Sequence, residues 1–228
     1  MLPLLFVGML KALSMQDYVM AANQSRRGCK LGTVVKSNSH CDYVVQLDTN
    51  RDVIDPPNAS DYGFGQFVTL ETEQPHWVVG IIYNSQLFNP AFLSSGPQLT
   101  TAPDPLFTPD LIQETRTLLS VVLVGSLRSQ GKITYGQQGI PRSVVPVNTP
   151  VYCMGAASRH QFHLGADGRP QFKYYGHLLS CGGTFATQLT QQVLTDLEGS
   201  GLFTDADRRA LQVLCKELTW KNTLGAMG

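Results

Sequence analysis

Several short strings carry residue types that catalysis or metal binding uses, and their spacing decides what each can do. His160 and His163 stand three apart, with His177 further on. On a helix, that spacing lets two imidazoles reach one metal ion. The flanking Arg159, Gln161 and Gly165 predict extended or looped chain instead, so exposed loop histidines without a metal are expected. Ser129-Gln130-Gly131-Lys132 has the Ser-x-x-Lys spacing of acyl-transferring serine enzymes. That chemistry needs a helix start, where the lysine amine lies one turn from the hydroxyl; a glycine-containing β-turn does not offer it. Gly125 to Lys132 approximates a phosphate-binding loop, but with one residue too many between the glycines and Ile133 where a hydroxyl must reach magnesium. It also reads as a strand-to-strand turn, whereas such a loop opens a helix whose amides cradle phosphate. Glu71/Glu73 and Asp205/Asp207 read as a strand's solvent face and a helix start. Cys41 follows His40, and adjacent strand residues face opposite sides. No catalytic residue, metal ligand or cofactor is assigned on these grounds, and a non-enzyme is expected.

Two further groups point to binding. Between 159 and 175 cations alternate with rings, and Arg159, Arg169, Lys173, Tyr174 and Tyr175 are the candidate contacts to single-stranded nucleic acid. Stacking residues among cations suit that ligand. They equally suit a half-buried hairpin that packs on the rest of the protein with its cations outward. Leu211, Leu214, Leu218 and Trp220 repeat at helical spacing. That apolar stripe either docks a partner protein or packs on the chain's own core.

The elements that must position these groups are mostly short strands. LGTVVKSNS and DYVVQLD read as a strand pair turning at SNSHC. Residues 48–63, rich in Asp, Asn and Pro, read as a loop. QFVTLET and HWVVGIIYNSQLF follow as two more strands, with Gly80 marking a bend or bulge. The proline-rich stretch at 89–108 is a surface excursion. Thr108 as cap, Pro109 at the first helical position and Asp110 at the positive end predict a helix, with Leu111, Ile112, Thr115, Leu118 and Leu119 on one face. SVVLVGSL then reads as a strand buried on both faces. YGQQGIPRSVVPVNTPVYCM is partly irregular and ends in a last short strand. After it, Ala166-Asp167-Gly168 signals a tight turn between extended pieces. Helices are expected at 184–198 and from a Thr204 cap to about Trp220. The fold class is therefore mainly β: a closed antiparallel barrel of about six strands with one inserted helix and a small C-terminal helical region. The divisions are an extension at 1–27, the barrel at 28–157, and a short hairpin with a two-helix tail at 158–228.

Composition narrows the partners. The 228 residues carry 17 basic and 17 acidic side chains and only 15% charged residues. A neutral chain holds nucleic acid only through a local patch. The 5 cysteines form no CxxC pair, which fits free thiols in a reducing cytoplasm. The apolar start MLPLLFVGML lacks a preceding basic region and is about half the length that spans a bilayer. It reads as a membrane-surface segment or, preferably, as an overextended start ahead of Met15 or Met20. No transmembrane segment and no small-molecule substrate are expected.

Over about residues 28–156 the order of motifs resembles the HAS barrel, the domain shared by HerA-type ATPases and ATP synthase catalytic subunits. LGTVVKSNSHCDYVVQLD resembles its opening G-x-V strand and hairpin, YGFGQFVTLE its third strand, and WVVGIIYNS the strand after it. ETRTLLSVVLVGSL, GK and PRSVVPVNTPVYCM resemble the HerA sequence of acidic helix, strand and proline-bounded turn, with Asn148-Thr149 where a glycine is usual. In HerA proteins an ATPase core follows, for which the residues after 156 are expected to be too few. The resemblance thus implies a stand-alone assembly or adaptor barrel that docks a partner ATPase or nuclease, or forms a ring. A single-stranded nucleic-acid binder in DNA processing is the alternative.

Overall fold

The computed structural model describes residues 27–72, 77–88, 116–131, 133–201 and 203–225. Among the described residues seven strands come first: β1 (Arg27–Ser37), β2 (Asp42–Leu47), β3 (Phe67–Glu71), β4 (Trp77–Phe88), β5 (Arg116–Gln130), β6 (Ile133–Gln138) and β7 (Pro150–Met154). Four described α-helices follow: α1 (Ala156–Phe162), α2 (Tyr175–Cys181), α3 (Ala186–Gly199) and α4 (Asp205–Gly225). Each neighbouring pair is antiparallel, and the additional β2–β5 pairing closes the circuit β1-β2-β5-β4-β3-β7 into a six-stranded barrel. Closure leaves none of these six strands with a free edge over its paired length. The seventh strand, β6, folds back on the far half of β5 as a hairpin.

The period-2 alternation of the strands builds two cores. Leu119, Val121 and Leu123 of β5 face the barrel interior with Val34, Tyr43, Val45 and Ile82. Val122 and Val124 face outward, with Val79 and Ile81 of β4, into a second cluster under the helices. The run SVVLVGSL is apolar on both faces because both faces are covered. Gly80 lies where the β4–β5 register shifts, and a Cβ there would run into the Val121 side chain.

Several expectations need correction. Of the helix drawn from 109 to 119, residues 109–115 lie outside the described residues. Leu118 and Leu119 belong to strand β5, paired to Gln46 and Val45 on one side and to Gln86 and Ser85 on the other. Backbone pairing along both edges outweighs the local helical pattern. The stretch ITYGQQ forms the regular strand β6. The first arm of the expected 158–175 hairpin is helix α1 instead; only the single bridge Leu164–Pro170 and the turn between them remain, with Gly168 at φ +73°. The brief helix α2 follows directly. The last two helices match their expected spans within a few residues. Thr204 caps α4, with its hydroxyl donating to the Asp207 carboxylate at 2.6 Å.

Candidate functional site

A groove runs along the outer edge of β6. Two glutamines hold its walls together. Gln138 Nε2 donates to the Phe162 and Gln171 carbonyls, each at 3.1 Å, while its Oε1 accepts the Lys173 amide at 2.6 Å. Gln171 Nε2 donates to the carbonyls of Gly136 at 2.6 Å and Leu164 at 3.2 Å. Position 136 must be glycine: a Cβ would collide with the Phe162 carbonyl at the end of α1. The strand, α1 and the 165–169 turn are thereby locked into one rigid wall. Beside it opens a hollow of about 510 Å³ lined by Tyr135, Arg169 and Lys173. A second hollow of about 130 Å³, lined by Arg128 and Arg142, meets the first at Gln137 and Gln138. Among the described residues, four cations thus line these two neighbouring hollows. Among the described residues that line them, the one acid is Asp167, 3.7 Å from Arg169 Nε.

The five expected nucleic-acid contacts are split by this geometry. Arg169 and Lys173 line the groove; Arg159, Tyr174 and Tyr175 do not. Tyr174 is wholly buried, and Tyr175 packs at the edge of the outer core. Tyr174 instead belongs to a ring cluster with Phe67, Phe162 and His163. His163 is 1% exposed, so the reading of exposed loop histidines is wrong for it. Its Nδ1 lies 2.7 Å from the Arg159 carbonyl, which can only accept, so Nδ1 carries the proton. Nε2 therefore accepts from the Tyr174 hydroxyl at 2.8 Å. Burial pushes the His163 pKa down to about 4 and the Tyr174 pKa well above its usual value. With both nitrogens occupied, this histidine is a fixed neutral strut. His177 Nε2 likewise donates to the Leu123 carbonyl at 2.9 Å and pins α2 to β5.

The expected docking stripe on α4 is also split. Leu211 and Leu218 are buried in the outer core, and Leu214 packs against it. Trp220 alone of the four stands out in solvent, at 67% exposure. The stripe is largely the helix's packing face.

Sequence reasoning passed over a different apolar surface, on the loop 139–149 between β6 and β7. This loop caps one mouth of the barrel. Its Val145 enters the interior core, and the Val145 amide donates to Tyr43 Oη at 3.2 Å. The Asn148 amide donates to the Val34 carbonyl at 2.8 Å, and His40 Nε2 to the Pro141 carbonyl at 2.7 Å. Asn148 sits at φ +66°, a left-handed conformation that asparagine tolerates better than most side chains. With Val145 turned inward, Ile140, Val144 and Val147 are left exposed at 60%, 67% and 59%.

The cysteines are free thiols. Burial, then the neighbouring Cys153 and Asp61, push the Cys29 thiol up to about 12. Burial raises Cys153, Cys41 and Cys215 as well. A raised thiol is a poor nucleophile. Among the described residues, no three His, Cys, Asp or Glu side chains are grouped to hold a metal ion, and no helix is long and apolar enough to cross a membrane.

Residues 15–228 match one protein family, described as Domain of unknown function (DUF8166). The chain belongs to that family. The match runs through the barrel, the groove-forming hairpin and the helices alike. No curated protein matches the chain.

Most of the groove and cap was missed because neither is a motif. Arg128 and Tyr135 meet only through hairpin register, as partners across β5 and β6. Arg142 arrives from a loop whose course depends on where Val145 is buried. The one available signal was the turn that follows Gln130, with Gly131 at φ +61° and Gln130 paired to Ile133. It fixes which residue of β5 faces which residue of β6.

Proposed function

We propose that this barrel is a non-catalytic assembly or adaptor module of the cytoplasm, which docks a protein partner through its capped mouth. The observation that carries the reading is the cap itself. Ile140, Val144 and Val147 project into solvent from a loop fastened to the barrel by named hydrogen bonds and by the inward Val145. A rigid loop presents apolar side chains without an ordering cost at the moment of binding, and exposed aliphatic surface suits a protein partner. The resemblance to HerA-type barrels supports the same reading and suggests the partner's class: an ATPase or nuclease, or further copies of the barrel in a ring.

The test is capture of C-terminally tagged protein from its own cells, compared with a Val144→Asp, Val147→Asp double variant. Both positions are exposed, so the variant should keep the wild-type Tm. The wild type should recover a partner, or itself as a ring, in near-equal amount, and the variant should lose it. A wild type that is strictly monomeric and recovers nothing, or a variant that recovers the same partner equally well, overturns the docking mouth.

A further inference from the structure

We infer that the groove along β6, flanked by Arg128, Arg142, Arg169 and Lys173 with Tyr135 in its wall, is a binding site for single-stranded nucleic acid. This role differs from docking at the mouth, although Ile140 of the mouth also lines the second hollow, beside Arg142 of the same loop.

The whole chain is neutral, with 17 basic and 17 acidic residues, yet the described residues of the groove gather four cations against the single Asp167. The cations come from four places in the sequence: β5, the cap loop, the 165–169 turn and the chain leading to α2. The fold brings them together. Cations divided between two neighbouring hollows suit a ligand with repeated charges better than one compact anion, because a backbone presents phosphate after phosphate.

Polar chemistry and shape point the same way. The floor is stitched by Gln138 and Gln171, whose side-chain bonds fix backbone carbonyls and amides in place. Arg128 Nε is held by Gln137 Oε1 at 2.8 Å. Its terminal guanidinium nitrogens are directed by that contact, which suits two-pronged recognition of phosphate oxygens. Tyr135 supplies a ring on which a base can stack, a contact that tolerates any base. The groove is a shallow open depression on a strand edge. A flexible single strand can follow it and turn a base toward Tyr135, whereas a duplex keeps its bases stacked inside.

The salt dependence follows from the same count. Four phosphate contacts on a single strand predict a slope near −3 for log affinity against log salt. Removing two cations should reduce the slope by roughly 1.4.

The experiment is fluorescence anisotropy of a short labelled oligothymidylate with the full chain, across a salt series. The competitors are heparin and a duplex of equal length. The variants are Arg169→Glu with Lys173→Glu, Arg128→Glu with Arg142→Glu, and Tyr135→Ala. Arg209→Glu, exposed on α4 and outside the groove, is the control. Tm values confirm that each variant is folded. The site is supported if the oligomer binds at low salt with that slope, if each double variant weakens binding by tenfold or more, if Tyr135→Ala weakens it by about tenfold, and if Arg209→Glu has no effect. It is overturned if the oligomer does not bind at low salt, or if the control weakens binding as much as the groove variants. Equal affinity for duplex and heparin overturns it too, since that would make the groove a generic polyanion surface. Arg169→Glu with Lys173→Glu lies off the cap loop, so loss of oligomer binding with partner capture retained in that variant separates the two proposals.

Discussion

Replacing Tyr174 by Phe isolates one buried hydrogen bond within the ring cluster that joins helices to barrel. The Tyr174 ring stacks on Phe162 at 5.9 Å with an interplanar angle of 29°, and lies edge-on to Phe67 at 6.3 Å. Phenylalanine keeps those contacts and removes one oxygen. That oxygen is the donor to His163 Nε2 at 2.8 Å. The histidine cannot compensate by changing tautomer, because Nδ1 must keep its proton for the Arg159 carbonyl at 2.7 Å. An acceptor left unpaired in the interior costs about 1–3 kcal/mol, and we take about 2 kcal/mol as the central value. In a chain of this length each 1 kcal/mol moves Tm by roughly 2–4 °C, so Tm should fall by about 4–8 °C. Differential scanning calorimetry at neutral pH measures the shift. Urea unfolding should give a lower midpoint with an unchanged slope. An unchanged Tm would refute the claim that Nε2 depends on Tyr174. A changed slope would refute the one-bond accounting, because the ring cluster itself would then have loosened.

The same histidine sets a pH dependence. Its pKa falls from 6.5 to about 4 on folding, so its contribution is complete above 6.5 and is lost as pH falls from there toward 4, reaching about 3 kcal/mol. A Tm that is flat across that interval would show that His163 is not held neutral. The Asp52 carboxyl is lowered by its bonds to Thr49 and by Arg116, so its contribution is lost below its ordinary pKa, at a more acidic pH than that of His163. Gly136→Ala should destabilise by about 3 kcal/mol or more, because the new Cβ meets the backbone carbonyl of Phe162, which cannot swing aside as a side chain would. A wild-type Tm for this variant would mean that β6 is free to move away from α1.

The strands were legible where period and burial agree. The mixed alternation in DYVVQL and the unbroken apolar run of β5 arise from contacts that each strand makes along its whole length, so the pattern repeats enough to read. The failures have a common cause in the other direction. Leu118 and Leu119 fit a helical face, but partner strands on both sides decide their conformation, and those partners are distant in sequence. His163 and Tyr174 look like members of a solvent-facing mixture until α1 turns the histidine inward and each polar group finds its partner there. The stripe on α4 was correctly apolar, yet an apolar stripe does not say whether it covers the chain's own core or another protein's. Here Leu211 and Leu218 belong to the same buried cluster as Val193 and Leu197 of α3. The cap loop was illegible for the opposite reason: Val144, Val145 and Val147 are the same residue type, and only the closure of the barrel selects which one enters it.

The two-sided apolar strands also bear on whether residue 157 is a folding boundary. Phe67, Val79, Ile81, Val122 and Val124 point out of the barrel and are buried by residues from α1 onward. Removing that region would return five large apolar side chains to water. At about 1.5–3 kcal/mol each, the loss is roughly 10 kcal/mol, comparable to the whole stability of an ordinary domain. Hydrogen bonding adds to the dependence, since His177 donates to the Leu123 carbonyl and Gln171 to the Gly136 carbonyl from beyond the cut. A protein ending at residue 157 should therefore be insoluble, or soluble only as an expanded state that binds hydrophobic dyes and lacks a cooperative thermal transition. Restoring the missing residues as a separate chain should return a cooperative transition if the interface alone is lacking. A truncated barrel that unfolds cooperatively with the Tm of the full chain would refute this reasoning. It would show that the interior cluster around Tyr43 and Leu119 suffices, and that the helices are an appendage rather than the second half of one core.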